Sequence, residues 1–335
     1  MRQPGKTRRR AALLLAVLAA ATGAARAQDE FDLRLIRPVV SLSTWGTPAA
    51  GLQENGGDYS ASTVTFGANI PLGPTRIHPG GKLLGHQYLL GATFSTTSQT
   101  IDAPASNPPL VSNPRLYSGG LTFSALFASS AGNLYFGSLG ASFAESEDTI
   151  DDLDTRLFAV GLGSYRKNDK LMFIYGAALT YVYARQMILP AFGIVWHPNP
   201  TWTLMGTLPF YIRVSQKFRP NLQMNYLLYH AGQRYRFAND GLFPGQDPVV
   251  YERVGESHLG AEIEYRPTPD LALLGQAGIA NRRRLSFANL DEEDFVDDTI
   301  DPAPYVKLTL RYAFGKSLME ELEARAGNGL VGTTP

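Results

Sequence analysis

The stretch Tyr305–Phe314 (YVKLTLRYAF) separates its side chains by parity. Its even-numbered positions are all apolar, whereas its odd-numbered positions up to Arg311 are polar or amphipathic. A period of two residues predicts a β-strand, because successive side chains in a strand point to opposite faces. The polar face carries Lys307 and Arg311, and the apolar face ends in two aromatics, Tyr312 and Phe314. Such a strand suits a wall that separates lipid from a polar interior.

Similar alternation recurs along the chain in short runs separated by turn-forming residues. The fourteen runs are 32–45, 58–70, 85–97, 116–128, 133–144, 155–166, 171–183, 189–197, 201–208, 210–218, 222–237, 250–266, 271–286 and 303–314. Tight turns rich in Pro, Asn, Asp and Gly alternate with longer connections. We therefore predict an all-β, transmembrane, antiparallel up-and-down β-barrel of about 14 strands, with both chain ends periplasmic. The alternative is 12 strands, if the runs around Pro190 or Pro209 are single long strands; the competing fold class is a soluble β-sandwich.

The N-terminus predicts export. Residues 1–10 carry five cations and no acid, 11–22 are apolar, and Ala25–Ala27 (ARA) is a small-x-small cleavage site. This pattern is typical of a Sec-type signal peptide cleaved after Ala27. Together with the predicted barrel, it predicts the outer membrane of a Gram-negative bacterium. The predicted domains are the signal peptide 1–27, the barrel 28–314 and a short periplasmic tail 315–335, in which a helical turn is expected near Leu318 and Leu322.

Composition excludes several classes of function. Cleavage removes six of the thirty cations and no acid, which leaves a net charge of −6 and disfavours a nucleic-acid partner. The absence of cysteine excludes disulfides and thiolate chemistry. We expect no cofactor, and we expect outer-membrane lipid and the barrel assembly machinery as partners; the oligomeric state stays open.

The apolar parity of each run predicts the residues that face lipid. They are Val64, Phe66, Ile70, Leu90, Phe94, Leu121, Phe123, Phe127, Tyr135, Leu139, Phe143, Phe158, Val160, Leu162, Phe192, Ile194, Trp196, Trp202, Leu204, Leu208, Leu259, Ile263 and Tyr265. No charged residue falls in this set, as expected where a charge at mid-depth costs about 2–4 kcal/mol.

The opposite parity predicts a charged ladder inside the barrel. Its members are Arg37, Arg213, Lys217, Glu256, His258, Glu262, Glu264, Gln276, Arg282, Arg284, Lys307 and Arg311. Carboxylates on one strand facing cations on its neighbours form cross-strand ion pairs. The ladder either stiffens a filled lumen or forms a constriction that selects solutes.

Two connections are strongly acidic, 145–154 and 291–301. Acidic loops usually serve only to solvate a connection, but the second could also hold divalent cations that bridge to lipid headgroups. Its candidate residues are Asp291, Glu292, Glu293, Asp294, Asp297, Asp298 and Asp301. No ligand spacing of a known metal motif is present in either loop, so no metal site is predicted.

Segments 189–204 (LPAFGIVWHPNPTWTL) and 275–287 (GQAGIANRRRLSF), with Pro209, resemble an uncharacterised family of outer-membrane β-barrels known only as a domain of unknown function. The resemblance covers 189–287 and implies a barrel without an assigned activity. The chain also resembles the wider group of hydrophobic-compound channels, but only residues 28–31 precede the first run, whereas those channels carry an N-terminal plug.

The sequence leaves three functions open. The first is a passive, porin-like channel of unknown substrate, and the second is a structural or lipid-interacting barrel with a blocked lumen. The third is an outer-membrane hydrolase, which we do not expect, because Ser257 and His258 are adjacent in a strand and point to opposite faces.

Overall fold

The computed structural model describes residues 38–78, 82–105, 110–182, 185–209, 211–239, 242–318 and 320–322. The signal peptide and Arg37 lie outside these residues. The strands are β1 (Val39–Gly51), β2 (Asp58–Pro71), β3 (Arg76–Ile77), β4 (Leu83–Ala103), β5 (Leu110–Ser112), β6 (Arg115–Ser129), β7 (Leu134–Ser146), β8 (Arg156–Asn168), β9 (Leu171–Val182), β10 (Arg185–Trp196), β11 (Trp202–Leu208), β12 (Tyr211–Arg219), β13 (Leu222–Ala238), β14 (Val249–Tyr265), β15 (Leu271–Ala288), β16 (Asp294–Ile300) and β17 (Ala303–Ala313). Among the described helical residues, no helix is long and apolar enough to cross a membrane.

Fourteen of these strands form a closed antiparallel barrel, and β3, β5 and β16 are short additions to it. The barrel closes because β1 pairs with both β2 and β17, from Val39↔Ala313 to Gly46↔Val306 on the β17 side. The start of β1 and the end of β17 therefore lie at the same rim of the barrel, and this rim also carries the short turns. We call this rim the turn end and the opposite rim the loop end. The predicted fold class and strand number are confirmed.

The outward face of β17 is apolar, as the alternation of its sequence predicts. Val306, Leu308, Leu310, Tyr312 and Phe314 are between 45% and 56% exposed. Most predicted lipid-facing residues of the other strands are likewise exposed or half-buried. A β-barrel needs this apolar band because no water is available in the bilayer core to solvate polar groups.

The predicted register of β8 is wrong by one residue. Leu157 and Tyr165 are the exposed side chains of this strand, whereas Leu162 is buried and Val160 packs inward. Phe143 of β7 is also buried. The physical reason is that the interior beside β8 is itself apolar, so both faces of the strand have apolar side chains and parity does not distinguish them.

Strands β8 to β12 form a shorter side of the barrel wall. At the loop end, the ring of strands closes through a contact between β13 and β7 instead. Strand β13 pairs with β12 only as far as Tyr211↔Tyr229, and it then crosses to pair in parallel with β7 at Arg236↔Glu145. The Arg236 Nε to Glu145 Oε2 distance is 3.1 Å. Strands β8 to β12 are thereby left out of the ring at the loop end.

At the loop end, the acidic strand β16 also contacts the connection between β1 and β2 (residues 52–57), which we call the β1–β2 tip. Leu52 forms a bridge with Ile300, and the Gln53 amide donates to the Thr299 carbonyl at 3.0 Å. The buried Asp298 carboxylate accepts hydrogen bonds from the backbone amides of Glu54 and Asn55, each at 3.0 Å. Burial alone would raise the pKa of Asp298, but hydrogen bonds from the side chains and backbone amides of Glu54 and Asn55 outweigh it and hold the pKa below its usual range.

We expect Asp298→Ala to release the β1–β2 tip. Hydrogen bonds to a charged acceptor are each worth about 1.5–3 kcal/mol, so amide exchange at Glu54 and Asn55 should accelerate by about tenfold or more. Because the folded pKa lies below the unfolded one, the stabilisation is present near neutral pH and is lost as pH falls through the folded pKa. Hydrogen exchange measured against pH tests this. The neighbouring Asp297→Ala is the control, and equal acceleration in both variants would contradict the assignment.

The interior holds two apolar clusters. The turn-end cluster draws buried residues from β4 and from β6 to β13, including Leu126, Phe136, Ile174 and Val195. The loop-end cluster fills the upper ring with residues such as Ile101, Leu116, Phe243 and Phe287. These inward side chains are almost inaccessible to water, so each cluster is tightly packed inside the barrel.

The C-terminal tail adds to the turn-end cluster. Ser317 and Glu320 form a capping box, in which the Ser317 amide donates to Glu320 Oε2 at 2.6 Å and the Glu320 amide donates to Ser317 Oγ at 3.2 Å. Leu318 and Glu320–Leu322 are helical, as expected, and Leu318 and Leu322 are buried in the cluster. The tail therefore packs into the mouth of the barrel at the turn end.

Candidate functional site: a central chamber

A chamber of about 130 Å³ lies inside the barrel between the two apolar clusters. Strands β1, β2 and β4 supply one wall, which is rich in hydroxyls, and β12, β13, β14 and β17 supply the other, which is rich in aromatic rings. Its volume approaches that of the roughly 150 Å³ cavity known to hold one benzene ring. The chamber therefore has room for one small molecule.

His258 lies at the centre of the aromatic wall. Its ring stacks on Tyr229 with centroids 4.7 Å apart, and it meets Tyr305 edge-on at 4.5 Å and Trp45 at 5.9 Å. Nε2 lies 2.7 Å from Glu256 Oε1 and Nδ1 lies 3.2 Å from the Tyr229 hydroxyl. A carboxylate only accepts, so Nε2 donates to Glu256. The imidazole is thus held rigidly by its neighbours.

Glu256 connects this histidine to a buried arginine. Arg283 Nε lies 3.2 Å from Glu256 Oε2, and Arg283 Nη2 donates to Thr47 Oγ1 at 3.1 Å. The guanidinium also lies over the Tyr59 ring at 5.4 Å. Because Arg283 is only 1% exposed, this ion pair and its hydrogen bonds compensate for the loss of hydration.

The prediction that Arg282 and Arg284 face the lumen is wrong. Both are exposed, and Arg284 pairs with Asp297 on the outer surface. The register of β14 against β15 shifts between Gly255 and Ser257, and Arg282 has a φ of 49°. This β-bulge inverts the parity of the rest of β15 and turns Arg283 inward. The run of three arginines in the sequence gives no signal for the bulge.

The hydroxyl wall is connected by hydrogen bonds between strands. Thr63 Oγ1 lies 2.8 Å from Thr97 Oγ1, and Thr65 Oγ1 lies 2.9 Å from Ser95 Oγ. The Tyr59 hydroxyl donates to Gln99 Oε1 at 3.3 Å. These groups offer both donors and acceptors toward the chamber.

Three of the predicted ladder residues form a buried ion-pair cluster below the chamber. Arg213 Nη2 lies 3.4 Å from Glu264 Oε2 and 4.0 Å from Glu262 Oε1, and all three side chains are buried. Asn225 Nδ2 donates to Glu262 Oε1 at 2.8 Å, and Arg266 Nη2 lies 2.6 Å from Glu264 Oε1. Arg213 of β12 is thus a partner in contact with both carboxylates, and the charge of Arg311 on β17 also acts on Glu264.

The remaining ladder residues divide into inward and exposed positions. Gln276 lies between Glu262 and Lys307 in the strand register and donates to the Tyr305 hydroxyl at 2.6 Å. Lys307 and Arg311 are half-buried on the inward face of β17. Lys217 is exposed, because β12 ends its regular pairing there with a register shift.

Most acids of the second acidic connection have partners within the protein. Asp294 Oδ1 lies 2.6 Å from Arg253 Nη1, Glu292 binds Arg234, and Asp301 Oδ1 accepts from Gln53 Nε2 at 2.7 Å. Asp297 and Asp298 are engaged as described above. Within the described residues no group of three or more His, Cys, Asp or Glu side chains is arranged to hold a metal ion. The cation and headgroup interpretation of this loop stays a prediction.

The side chains of Ser257 and His258 contact different partners. Ser257 Oγ lies 2.8 Å from Nδ1 of His230, which is its cross-strand neighbour on β13. Sequence reasoning missed this pair, because the two residues are 27 positions apart and only strand register brings them together.

The comparisons with known proteins come from sequence and from structure. Among curated proteins none matches this chain. Solved structures that superpose on it include the β domain of the Bordetella autotransporter BrkA, at 10% identity with 83% of this chain and 100% of that chain covered and a TM-score of 0.32. An outer membrane channel from Pseudomonas putida F1 superposes at 9% identity, 83% and 96% coverage and a TM-score of 0.40. The P. putida toluene transporter TodX does so at 10% identity, 88% and 94% coverage and a TM-score of 0.36.

The family comparison covers most of the barrel. The family described as Domain of unknown function (DUF6268) matches residues 53–313, from the β1–β2 tip to the last residue of β17. The matched region contains nearly all the residues that build the chamber and the ladder. This transmembrane barrel therefore belongs to the DUF6268 family.

Proposed function

We propose that this protein is an outer-membrane barrel with a closed lumen, which binds one small aromatic molecule with a polar substituent in its central chamber. The observation that supports this most strongly is the packing of inward side chains above and below the chamber. Leu126 and Leu285, one from each apolar cluster, are each no more than 2% exposed. An open aqueous pore would leave inward side chains at both levels accessible to water.

The chemistry of the chamber favours a ligand of this class. Rings such as Trp45, Tyr229 and Tyr305 offer edges and faces to an aromatic ligand, and aromatic pairs are worth about 0.5–1.5 kcal/mol beyond area burial. Ser43, Thr63 and Thr97, on the wall formed by β1, β2 and β4, offer hydroxyls to a polar substituent. Ligand sites are typically apolar and aromatic with a few polar groups that fix orientation.

A passive, porin-like channel is the second candidate. It is favoured by the inward face of β17, where Lys307, Thr309 and Arg311 remain half-buried rather than fully covered. Solutes would follow this polar side of the lumen past the apolar cluster. In that case the Arg213, Glu262 and Glu264 cluster would set ion selectivity.

Planar-bilayer recording separates the two candidates. We expect the folded, heat-modifiable protein to insert without stable conductance steps, because buried apolar side chains pack above and below the chamber. Stable steps in most insertions would overturn the closed-lumen proposal and support the channel.

Binding is tested with phenol as the probe. In a Trp196→Phe/Trp202→Phe background, Trp45 is the only tryptophan left and it lines the chamber. We expect a saturable change in its fluorescence, and we expect Ala61→Leu, which fills the chamber, to abolish that change in a protein that still folds. A linear response, or an equal response in the filled variant, would overturn the binding proposal.

A further inference from the structure

The turn end carries a belt of exposed aromatics beside cations. Tyr165 precedes Arg166 and Lys167, Phe218 lies between Lys217 and Arg219, and Tyr265 precedes Arg266. These three aromatic side chains are 56%, 54% and 43% exposed. The same order, aromatic first and cation next toward the rim, therefore recurs at separate turns around the barrel.

We call the cations of this end the basic rim. Its described members are Arg76, Lys82, Arg166, Lys167, Lys170, Lys217, Arg219, Arg266 and Lys316. The described acids of the same end are Asp169, Asp270, Glu320 and Glu321, and Glu264 lies just inside the rim, paired with Arg266 at 2.6 Å. Asp169 is paired with Arg166 at 2.9 Å and Glu320 caps the helical turn of the tail, which leaves the rim with an excess of positive charge.

The opposite end of the barrel has the reverse charge. Its two acidic connections, 145–154 and 291–301, extend beyond the apolar band, and many of its arginines are already held by acids, as Arg236 is by Glu145 and Arg253 by Asp294. Among the described residues, cations are therefore in excess at the turn end and acids at the loop end.

We propose that the basic rim binds anionic headgroups of phospholipids in the leaflet that surrounds the turn end. Exposed Trp and Tyr rings settle at the level of the headgroups, so the aromatic belt fixes the depth of this end in the bilayer. Lys and Arg one step further out then reach the phosphates with their long side chains. Clustered cations near a membrane surface are attracted to anionic lipid by about 1 kcal/mol each. The belt and the rim together form a lipid site with a defined depth and charge.

The two outward tryptophans are reporters for this site. Trp196 is 43% exposed and Trp202 is half-buried, and both flank a turn at this end. In a Trp45→Phe background only these two remain. Quenching by brominated lipids measures which headgroup occupies the surface beside them.

The test compares brominated phosphatidylglycerol with brominated phosphatidylethanolamine in vesicles of otherwise equal composition. For the mature chain we expect preferential quenching by the anionic lipid at low salt, which weakens at high salt. Lys217→Gln/Arg219→Gln should reduce this preference by about twofold or more. The matched control is Arg282→Gln/Arg284→Gln, which removes the same charge at the loop end and should leave the preference unchanged. The heat-modifiable gel shift of each variant confirms that the barrel is folded.

Three outcomes would overturn the proposal. The first is equal quenching by the two lipids in the parent protein, and the second is an unchanged preference in the Lys217/Arg219 variant. The third is an equal loss in the loop-end control, which would show that net charge alone is responsible.

Discussion

Arg213→Ala is expected to destabilise the barrel by about 3 kcal/mol, because it leaves Glu262 and Glu264 buried without their central cation. Asn225 and Arg266 still contact these carboxylates, and together with the charge of Arg311 near Glu264 they limit the loss. Denaturant unfolding in lipid vesicles measures the change. The control is Arg219→Ala, an exposed cation of the turn end whose loss should cost no more than about 0.5 kcal/mol.

A second experiment tests the pairing of Arg213 with Glu262 and Glu264. It asks whether removing the two glutamate charges restores the stability that Arg213→Ala loses. Glu262→Gln/Glu264→Gln in the Arg213→Ala background should recover much of the stability, because the charges that lacked a partner are removed. If the two single arginine variants are equally stable, or if the glutamines restore nothing, the cluster lies in an aqueous lumen where ion pairs are worth under about 1 kcal/mol.

Leu308→Arg is expected to prevent assembly far more than Thr309→Arg. Leu308 is 56% exposed on the outward face of β17, at a depth where an arginine costs about 2–4 kcal/mol. Thr309 points inward and is half-buried, next to the polar positions Lys307 and Arg311. The amount of folded protein in outer-membrane fractions measures the difference. Equal amounts of the two variants would mean that the register of β17 is inverted.

The sequence predicts the outward residues correctly where only one face of a strand is apolar, because every side chain that faces lipid must be apolar. The outward parity of β17 was readable from ten residues, since a lipid-facing position must be apolar whatever lies on the other side of the wall. The strand boundaries followed from turn residues such as those of 197–200, whose Pro and Asn end one strand before the next begins. The same reasoning failed for β8, where the inside is as apolar as the outside.

The candidate site was predictable only in part. Glu256, His258, Glu262 and Glu264 share one face of β14, so their inward direction follows from alternation alone. Arg283 was missed because a β-bulge at Arg282 breaks that alternation. The choice of Arg213 as the cation in contact depends on how β12 and β14 lie on either side of β13, which no local pattern records.

The sequence by itself determined that this chain forms a membrane barrel, how its strands divide and which face of most strands meets lipid. These properties depend on the period of two and on turn chemistry, and both act over a few neighbouring residues. The tertiary structure alone decided that inward side chains pack into two buried clusters, that a chamber lies between these clusters and that β13 crosses to β7. Those features arise where inward side chains from strands far apart in the sequence meet, and their packing depends on volume and register across the whole barrel.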